Sequence, residues 1–378
     1  MADGKYKVNL SGPDIVEADI EAVEEVLRSR HLALGPKLGE FEERFAEAAS
    51  KRFGVGVNSG TSALHLIMLS LGVGKGDEVV TTPFSFISSA NCILMVGAKP
   101  VFVDIQLPNY NIDVPSVMEY VAKAEKKPKA VIVVDVFGQP SDWSELESFC
   151  ADKGIALVED SCEAIGARVA GRPAGAFGDA GAFAFYPNKQ LTTGEGGCIV
   201  TDDEDLARNC RSLRNQGRGE GGQWLQHRQL GYNFRISDMN CALGISQLSR
   251  LSEIVEMRSK VARRYEELLR PVEGVITPSV EPEVERMSWF VYVIRLSDDY
   301  NGMDRDRIIS GLRDRGIGCS NYFAPIHLMP FYREDLGFDF GDFPKTEAVA
   351  SRTIALPFYN RLQREDQIYV VDALKELL

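Results

Sequence analysis

The sequence predicts an α/β fold, with a mainly parallel central sheet covered by helices and a smaller C-terminal α+β domain. Three observations carry this reading. Short apolar or β-branched runs alternate with helical segments from Phe53 to Thr201, and several of them, such as Ala130 to Val136, are apolar throughout. Strands buried on both faces have that composition. From Ser237 onward a long helical stretch leads into mixed strands and helices, the order of an appended α+β unit. At 378 residues the chain accommodates two such units.

In chain order, Ile15, Val16, Ile20, Val23, Val26 and Leu27 recur at helical spacing and predict an amphipathic helix over 14–29. A turn at His31 to Pro36 precedes a second helix over 37–51, with Leu38, Phe41 and Phe45 on one face. Strands are predicted over 53–57, 79–82, 100–103, 130–136, 156–159, 182–186 and 198–201, and helices over 63–71 and 88–96. Helix is expected over 237–270, then a strand over 290–295, a helix over 305–315, a short strand over 318–322, and helices over 345–353 and 364–378. The resulting division is an N-terminal helical segment (1–30), a large α/β domain (31–245) and a small α+β domain (246–378).

Composition narrows the function classes. Hydrophobic residues make up 44% and charged residues 26%, an ordinary globular balance. A net charge of -13 argues against nucleic acid as a partner, since phosphate-backbone binding needs clustered Lys and Arg. Seven cysteines without a CxxC pair read as reduced, mostly buried thiols, and four dispersed histidines give no metal site. No run approaches membrane-spanning length and the N-terminus lacks an apolar leader, so a cytoplasmic protein is expected.

Five segments carry residues suited to chemistry. Lys189 lies on a turn between two strands, followed by Gly194, Gly196 and Gly197; a lysine fixed there serves either as a Schiff-base nucleophile or as solvated charge. Asn58-Ser-Gly-Thr-Ser62 places Gly60, Thr61 and Ser62 where a strand becomes a helix, which makes either a simple cap or an anion cradle. Asp160 ends a buried run, where a carboxylate needs a cation, unless it caps the next helix. Phe86, in Thr82-Pro-Phe-Ser-Phe86, either covers a flat ring or belongs to the core. Gly231 to Asp238 adds Asn233 and Arg235, an amide and a bidentate donor for oxyanions.

Taken in order, the motifs NSGTSALHL, TTPFSF, VEDSCEAIGA, FAFYPNKQLTTGEGG, LGYNFRISDMNCALGISQL and YFAPIHLMPFY resemble those of the DegT/DnrJ/EryC1/StrS aminotransferases over nearly the whole chain. The resemblance implies the fold-type I architecture and pyridoxal 5'-phosphate as cofactor, with pyridoxamine 5'-phosphate as its intermediate form. It also implies a homodimer with shared active sites, and amino transfer from L-glutamate to a nucleotide-linked keto sugar in amino-sugar biosynthesis, for a surface polysaccharide or a secondary metabolite. By the same resemblance Lys189 is the catalytic lysine that carries the cofactor and shuttles the proton. Asp160 pairs with the pyridine nitrogen; Gly60, Thr61 and Ser62 bind the phosphate; Asn233 reaches it from the neighbouring subunit. Phe86 stacks on the ring and Glu163 approaches the ring hydroxyl.

Two positions depart from the family pattern. Ala184 stands where many members carry a Ser or Thr hydroxyl for the phosphate, so other donors must replace it. Glu163 stands where a donor such as Gln is common, and an ionised carboxylate there would repel the cofactor's phenolate; it is therefore expected to be protonated or turned toward another donor. His31, Arg218, His227, Arg235 and His327 are candidate contacts for the sugar or its diphosphate. Lys189 argues against the related sugar dehydratases, which carry histidine at that position. An aminotransferase acting on a cyclitol or other non-nucleotide ketone, a related aminoshikimate-type dehydratase and a non-catalytic cofactor-binding regulator stand as alternatives, the last disfavoured by the presence of both Lys189 and Asp160.

Overall fold

Apolar β-branched runs assemble a seven-stranded sheet in the computed structural model, which describes residues 6–219 and 226–378. The strands lie in the order Phe53–Val57, Gly197–Thr201, Ala180–Ala184, Ala156–Asp160, Ala130–Val134, Glu78–Thr81 and Lys99–Phe102. From Ala180–Ala184 to Lys99–Phe102 every neighbouring pair is parallel. Gly197–Thr201 runs against both of its neighbours. That reversal follows from the connection: residues 185–196 return directly from Ala180–Ala184, without the crossover helix that a parallel pair requires. The returning segment is the one that holds Lys189.

Helices cover both faces. Gly60–Ser70 is apolar on nearly every side, with Ala63, Leu64, Leu66, Ile67 and Met68 all buried between the sheet and the helices Ser88–Met95 and Glu204–Arg214. On the opposite face, Pro36–Ala48 sets Phe41 and Phe45 against Phe185, with ring centroids 5.8 and 4.8 Å apart. The N-terminal helix, Glu17–Arg28, docks through a polar contact: buried Asp19 accepts hydrogen bonds from Ser246 Oγ and Gln247 Nε2, both at 2.6 Å. Its Ile20 and Leu27 stay exposed, so the apolar stripe read from the sequence is only partly covered within the chain.

A separate three-stranded antiparallel sheet joins Val275–Ile276, Tyr292–Leu296 and Thr353–Leu356. Leu251–Leu269, Gly302–Asp314 and Arg364–Lys375 supply the rest of its core, including Tyr265, Ile308, Leu312 and Val370. Val8 joins the same core and bridges to Ile317, so the chain's beginning packs on its C-terminal part.

Several expected elements differ. The helix expected over 345–353 ends at Ala350, and Thr353-Ile-Ala-Leu356 instead pairs with Tyr292–Leu296. The strand expected over 318–322 reduces to one bridge from Ser320 to Ala355. The helical stretch 237–270 is two helices, broken at Arg250, whose guanidinium turns to Asp14 at 2.9 Å. Val114–Lys123, Ser144–Lys153 and Glu204–Arg214 are helices that no expected element included.

Beneath the ends of two central strands, Asp135 and Glu159 are both fully buried. Ser161 Oγ lies 3.1 Å from Asp135 Oδ2 and 2.6 Å from Glu159 Oε1, and Glu159 also accepts from the Gly175 and Phe177 amides. Burial, with Glu159 beside it, holds the Asp135 carboxyl well above the ordinary carboxylate range, and burial raises Glu159 as well. A carboxyl raised in this way gives stability that is full below its ordinary pKa and is lost as pH climbs toward the folded value. Asp135→Asn retains an acceptor for the Ser141 amide and donates toward Glu159 without a titrating proton. The melting temperature of the wild-type protein is expected to fall relative to that of Asp135→Asn as pH rises from about 4 to 8. Parallel pH curves in calorimetry would mean that the pair is fully ionised.

Candidate active site

The carboxyl ends of the parallel strands open into a cavity of about 480 Å³, the position where ligands of such sheets bind. Gly60, Thr61, Phe86, Asp160, Glu163 and Lys189 all line it. These residues come from four separated segments, and backbone contact brings two of the segments together. A Cβ on Gly197 would lie 2.6 Å from the Ser59 carbonyl carbon and 2.9 Å from the Gly60 nitrogen. Only glycine there lets the turn at the helix start pass over the strand that follows Lys189.

Lys189 is held by its turn. Its amide donates to the Tyr186 carbonyl at 2.9 Å, and the Thr193 amide closes onto the Phe185 carbonyl at 3.0 Å. The side chain is 12% exposed, with Nζ 3.4 Å from Glu163 Oε1 and 3.8 Å from the centre of the Phe290 ring. The amine is thus confined between a carboxyl and an aromatic face.

Asp160 is buried. Its Oδ2 accepts from Ser89 Oγ at 2.6 Å and its Oδ1 from the Cys162 amide at 3.2 Å. Among the described residues no cationic side chain forms an ion pair with it. Neutral donors alone leave a buried carboxylate poorly compensated, and its free surroundings are the cavity.

Glu163 turns as expected toward another donor. Its Oε2 accepts from the Phe137 amide at 3.0 Å. Burial pushes the carboxyl up, while Lys189 draws it down. Phe137 and Gly138 both have positive φ, 58° and 95°, and this bend aims the Phe137 N–H at the carboxylate.

The turn at the start of Gly60–Ser70, expected to bind phosphate, divides differently from expectation. Ser59 caps the helix, accepting from the Ser62 amide at 3.1 Å. Ser62 Oγ donates to Asn58 Oδ1 at 2.7 Å and receives Ser59 Oγ at 2.9 Å. Ser62 does not line the cavity and its one hydroxyl proton is committed, so it supports the turn rather than facing a ligand. Ala184 packs against the turn: a Cβ on Gly60 would lie 2.7 Å from the Ala184 Cβ. Phe86 is 61% exposed and lines the cavity, which removes the core alternative for it.

His327 is a correction. Its ring is fully buried against Phe343, with Nε2 3.0 Å from Glu347, and it does not line the cavity. The other proposed substrate contacts also lie outside this chain's cavity wall. His31 is exposed, His227 Nδ1 is 2.7 Å from the Gln216 carbonyl, and Arg218 bridges to His227. Arg235 donates to Asn215 Oδ1 at 3.1 Å, and Asn233 pairs with Asn215. Unforeseen lining residues are Ser88, Ser89, Tyr186, Asn188, Glu195, Phe290 and Tyr322. A second strand, turn and hydroxyl-led helix, Thr82 to Ser89, repeats the pattern of Asn58 to Ser62 and signals the two serines. Phe290 and Tyr322 arrive from the C-terminal part; Tyr322 opens the motif YFAPIHLMPFY, whereas no local pattern marks Phe290.

A confined lysine, a buried carboxylate awaiting a cation, helix starts suited to an anion and an exposed ring at one cavity fit pyridoxal phosphate. The fold and cofactor class are those of a fold-type I pyridoxal-phosphate-dependent transaminase. The chain belongs to the DegT/DnrJ/EryC1/StrS aminotransferase family, whose model matches residues 13–375. It is 36% identical over 376 residues to the spore coat polysaccharide biosynthesis protein SpsC of Bacillus subtilis (strain 168), covering 97% of this chain and 96% of that protein. Among solved structures, the putative sugar aminotransferase Spr1654 of Streptococcus pneumoniae in its PMP form has a TM-score of 0.92 at 28% identity, over 98% of this chain and 99% of that one. S. venezuelae DesV in complex with a ketimine intermediate has a TM-score of 0.86 at 33% identity, over 95% and 93%.

The bend that orients Glu163 is testable through Gly138. A Cβ there would lie 1.7 Å from the Ser288 carbonyl oxygen, at a φ of 95°. Gly138→Ala is expected to cost about 3 kcal/mol or more, measured as a lower urea midpoint at unchanged slope. A midpoint within error of wild type would show that the loop relaxes freely.

Proposed function

We propose that this enzyme moves an amino group from L-glutamate to a nucleotide-linked keto sugar, working in the cytoplasm as a homodimer that serves amino-sugar synthesis for a surface polysaccharide or a secondary metabolite. The observation that carries the reading is Lys189 Nζ beside Glu163, in the cavity that the uncompensated Asp160 also lines. The names of SpsC, a spore coat polysaccharide biosynthesis protein, and of Spr1654, a putative sugar aminotransferase, support the sugar class.

In this reading Lys189 carries pyridoxal phosphate and Asp160 pairs with its ring nitrogen. Gly60 and Thr61 bind the phosphate, Phe86 covers the ring, and Glu163 faces the ring hydroxyl. When bound, the cofactor supplies the electron sink for amino transfer. Lys189 Nζ would hold and move the proton taken from the α-carbon of the amino donor. Asp160 keeps its partner nitrogen protonated by charge. Glu163, fixed by the Phe137 amide, offers Lys189 a polar neighbour without leaving its own charge unpaired. Phe290 and Tyr322 narrow the cavity and limit water.

The dimer reading rests on two features. Ile15, Ile20, Leu27, Leu32 and Leu34 form an exposed apolar set at the start of the chain, larger than isolated surface residues. Lys189 is also the one cation lining the cavity among the described residues, against Asp160, Glu163 and Glu195. Carboxylates of glutamate and a diphosphate need further cations, and Arg218, His227 and Arg235, with Asn233 as a neutral amide donor, are assigned to the adjacent protomer's site. The same shortage of cations favours a second reading, an uncharged ketone such as a cyclitol as acceptor.

Lys189→Ala is expected to bind the cofactor but lose turnover by about 1,000-fold or more. The measurement is the absorbance of the bound cofactor after adding L-glutamate, which shifts in the wild type and stays fixed in the variant. Nucleotide-linked 3-keto and 4-keto sugars and a cyclitol ketone, added next, identify the acceptor by restoring the starting band. Unchanged wild-type absorbance with L-glutamate would remove glutamate as donor, and restoration by the cyclitol alone would replace the sugar reading.

A further inference from the structure

The serine and threonine hydroxyls at and beside the cavity form three groups, and counting their protons distinguishes them. In the first, Ser59 donates to Ser62 and Ser62 to Asn58 Oδ1, so both protons are used. In the second, Ser89 donates to Asp160 and Ser85 lies 2.8 Å from Ser89, so both are used again. In the third, Thr61 Oγ1 and Ser88 Oγ are 2.7 Å apart, and among the described residues neither has another acceptor. A hydroxyl carries one proton. One proton of this pair therefore has no acceptor among the described residues, and Thr61 and Ser88 both line the cavity.

The pair also sits at a junction of two helix starts. Thr61 lies in the first turn of Gly60–Ser70 and Ser88 opens Ser88–Met95. Both helices present partial positive charge there. Across the cavity wall, Ala184 offers no hydroxyl and packs on Gly60.

We infer that Ser88 is a phosphate ligand of this enzyme, acting with Thr61 in place of the hydroxyl absent at position 184. The inference rests on the cofactor reading proposed above and names a contact that the aligned motifs do not contain. A hydroxyl donating to a dianionic oxygen makes a charge-assisted hydrogen bond, and its removal is expected to weaken binding about 10- to 100-fold.

The test uses full-length protein freed of cofactor and titrated with pyridoxal 5'-phosphate and, separately, with pyridoxal, which lacks the phosphate, following absorbance. Ser88→Ala is expected to weaken pyridoxal phosphate about 10-fold or more while leaving pyridoxal affinity unchanged. Adding Ala184→Ser to Ser88→Ala is expected to recover most of the loss. Equal affinities of wild type and Ser88→Ala for pyridoxal phosphate, or an equal loss for both ligands, would overturn the assignment. Wild-type protein that binds neither ligand would instead overturn the cofactor reading beneath it.

Discussion

Four carboxyl groups are buried around the adjoining ends of the Ala130–Val134 and Ala156–Asp160 strands, with one lysine among them. Asp135 and Glu159 meet at Ser161 Oγ, and burial raises both carboxyls above their ordinary range. Glu163 is balanced by the Phe137 amide and by Lys189. Asp160 receives only a hydroxyl and an amide. A buried charge left with neutral donors is destabilising unless something cationic arrives, so the fold holds one position at which a ligand with a protonated nitrogen relieves a cost already present. The rest of the site is arranged around that position.

Alternation in the sheet makes this arrangement possible. Glu159 and Asp160 are successive strand residues and point to opposite faces. One joins a closed network under the sheet, with the Gly175 and Phe177 amides; the other faces the cavity. The two carboxylates are adjacent in sequence and separated in role because the strand period is two. Sequence reading found Asp160 for this reason: a charge ending an apolar run is conspicuous. It left Glu159 unremarked, because what satisfies Glu159 comes from a loop about sixteen residues away.

Much of the fold was legible where local composition and tertiary demand agreed. The strand Phe53–Val57 falls on its expected residues, and the other six strands of the central sheet shift by one or two at their ends. Val114–Lys123 was missed because valines that favour strands form its buried face, at positions 114, 117 and 121, once Pro115 is accommodated in the first turn. The site was legible as segments and less so as hydrogen bonds. Gly60, Thr61, Phe86, Asp160, Glu163 and Lys189 meet at one cavity, whereas Ser62 and His327 turn away from it, because the partners that claim them, Asn58 and Glu347, are visible only in three dimensions. Motif position names a residue's neighbourhood. It does not show where the hydroxyl or imidazole proton goes.

The cavity's cover has a different origin from its floor. Phe290 lies over Lys189 and is fixed from behind by Arg258, whose guanidinium donates to the Trp289 and Phe290 carbonyls and, at 2.8 Å, to Asn360. Burial pulls Arg258 down to about 9, and with backbone and amide acceptors only, it acts as a clamp rather than as half of an ion pair. The floor, with Asp160, Thr61 and Ser88, belongs to the large sheet, while Phe290 and Tyr322 come from the C-terminal part of the chain. The floor and the cover of the cavity thus come from different parts of the chain, and most of the motifs lie in the segments that build the floor.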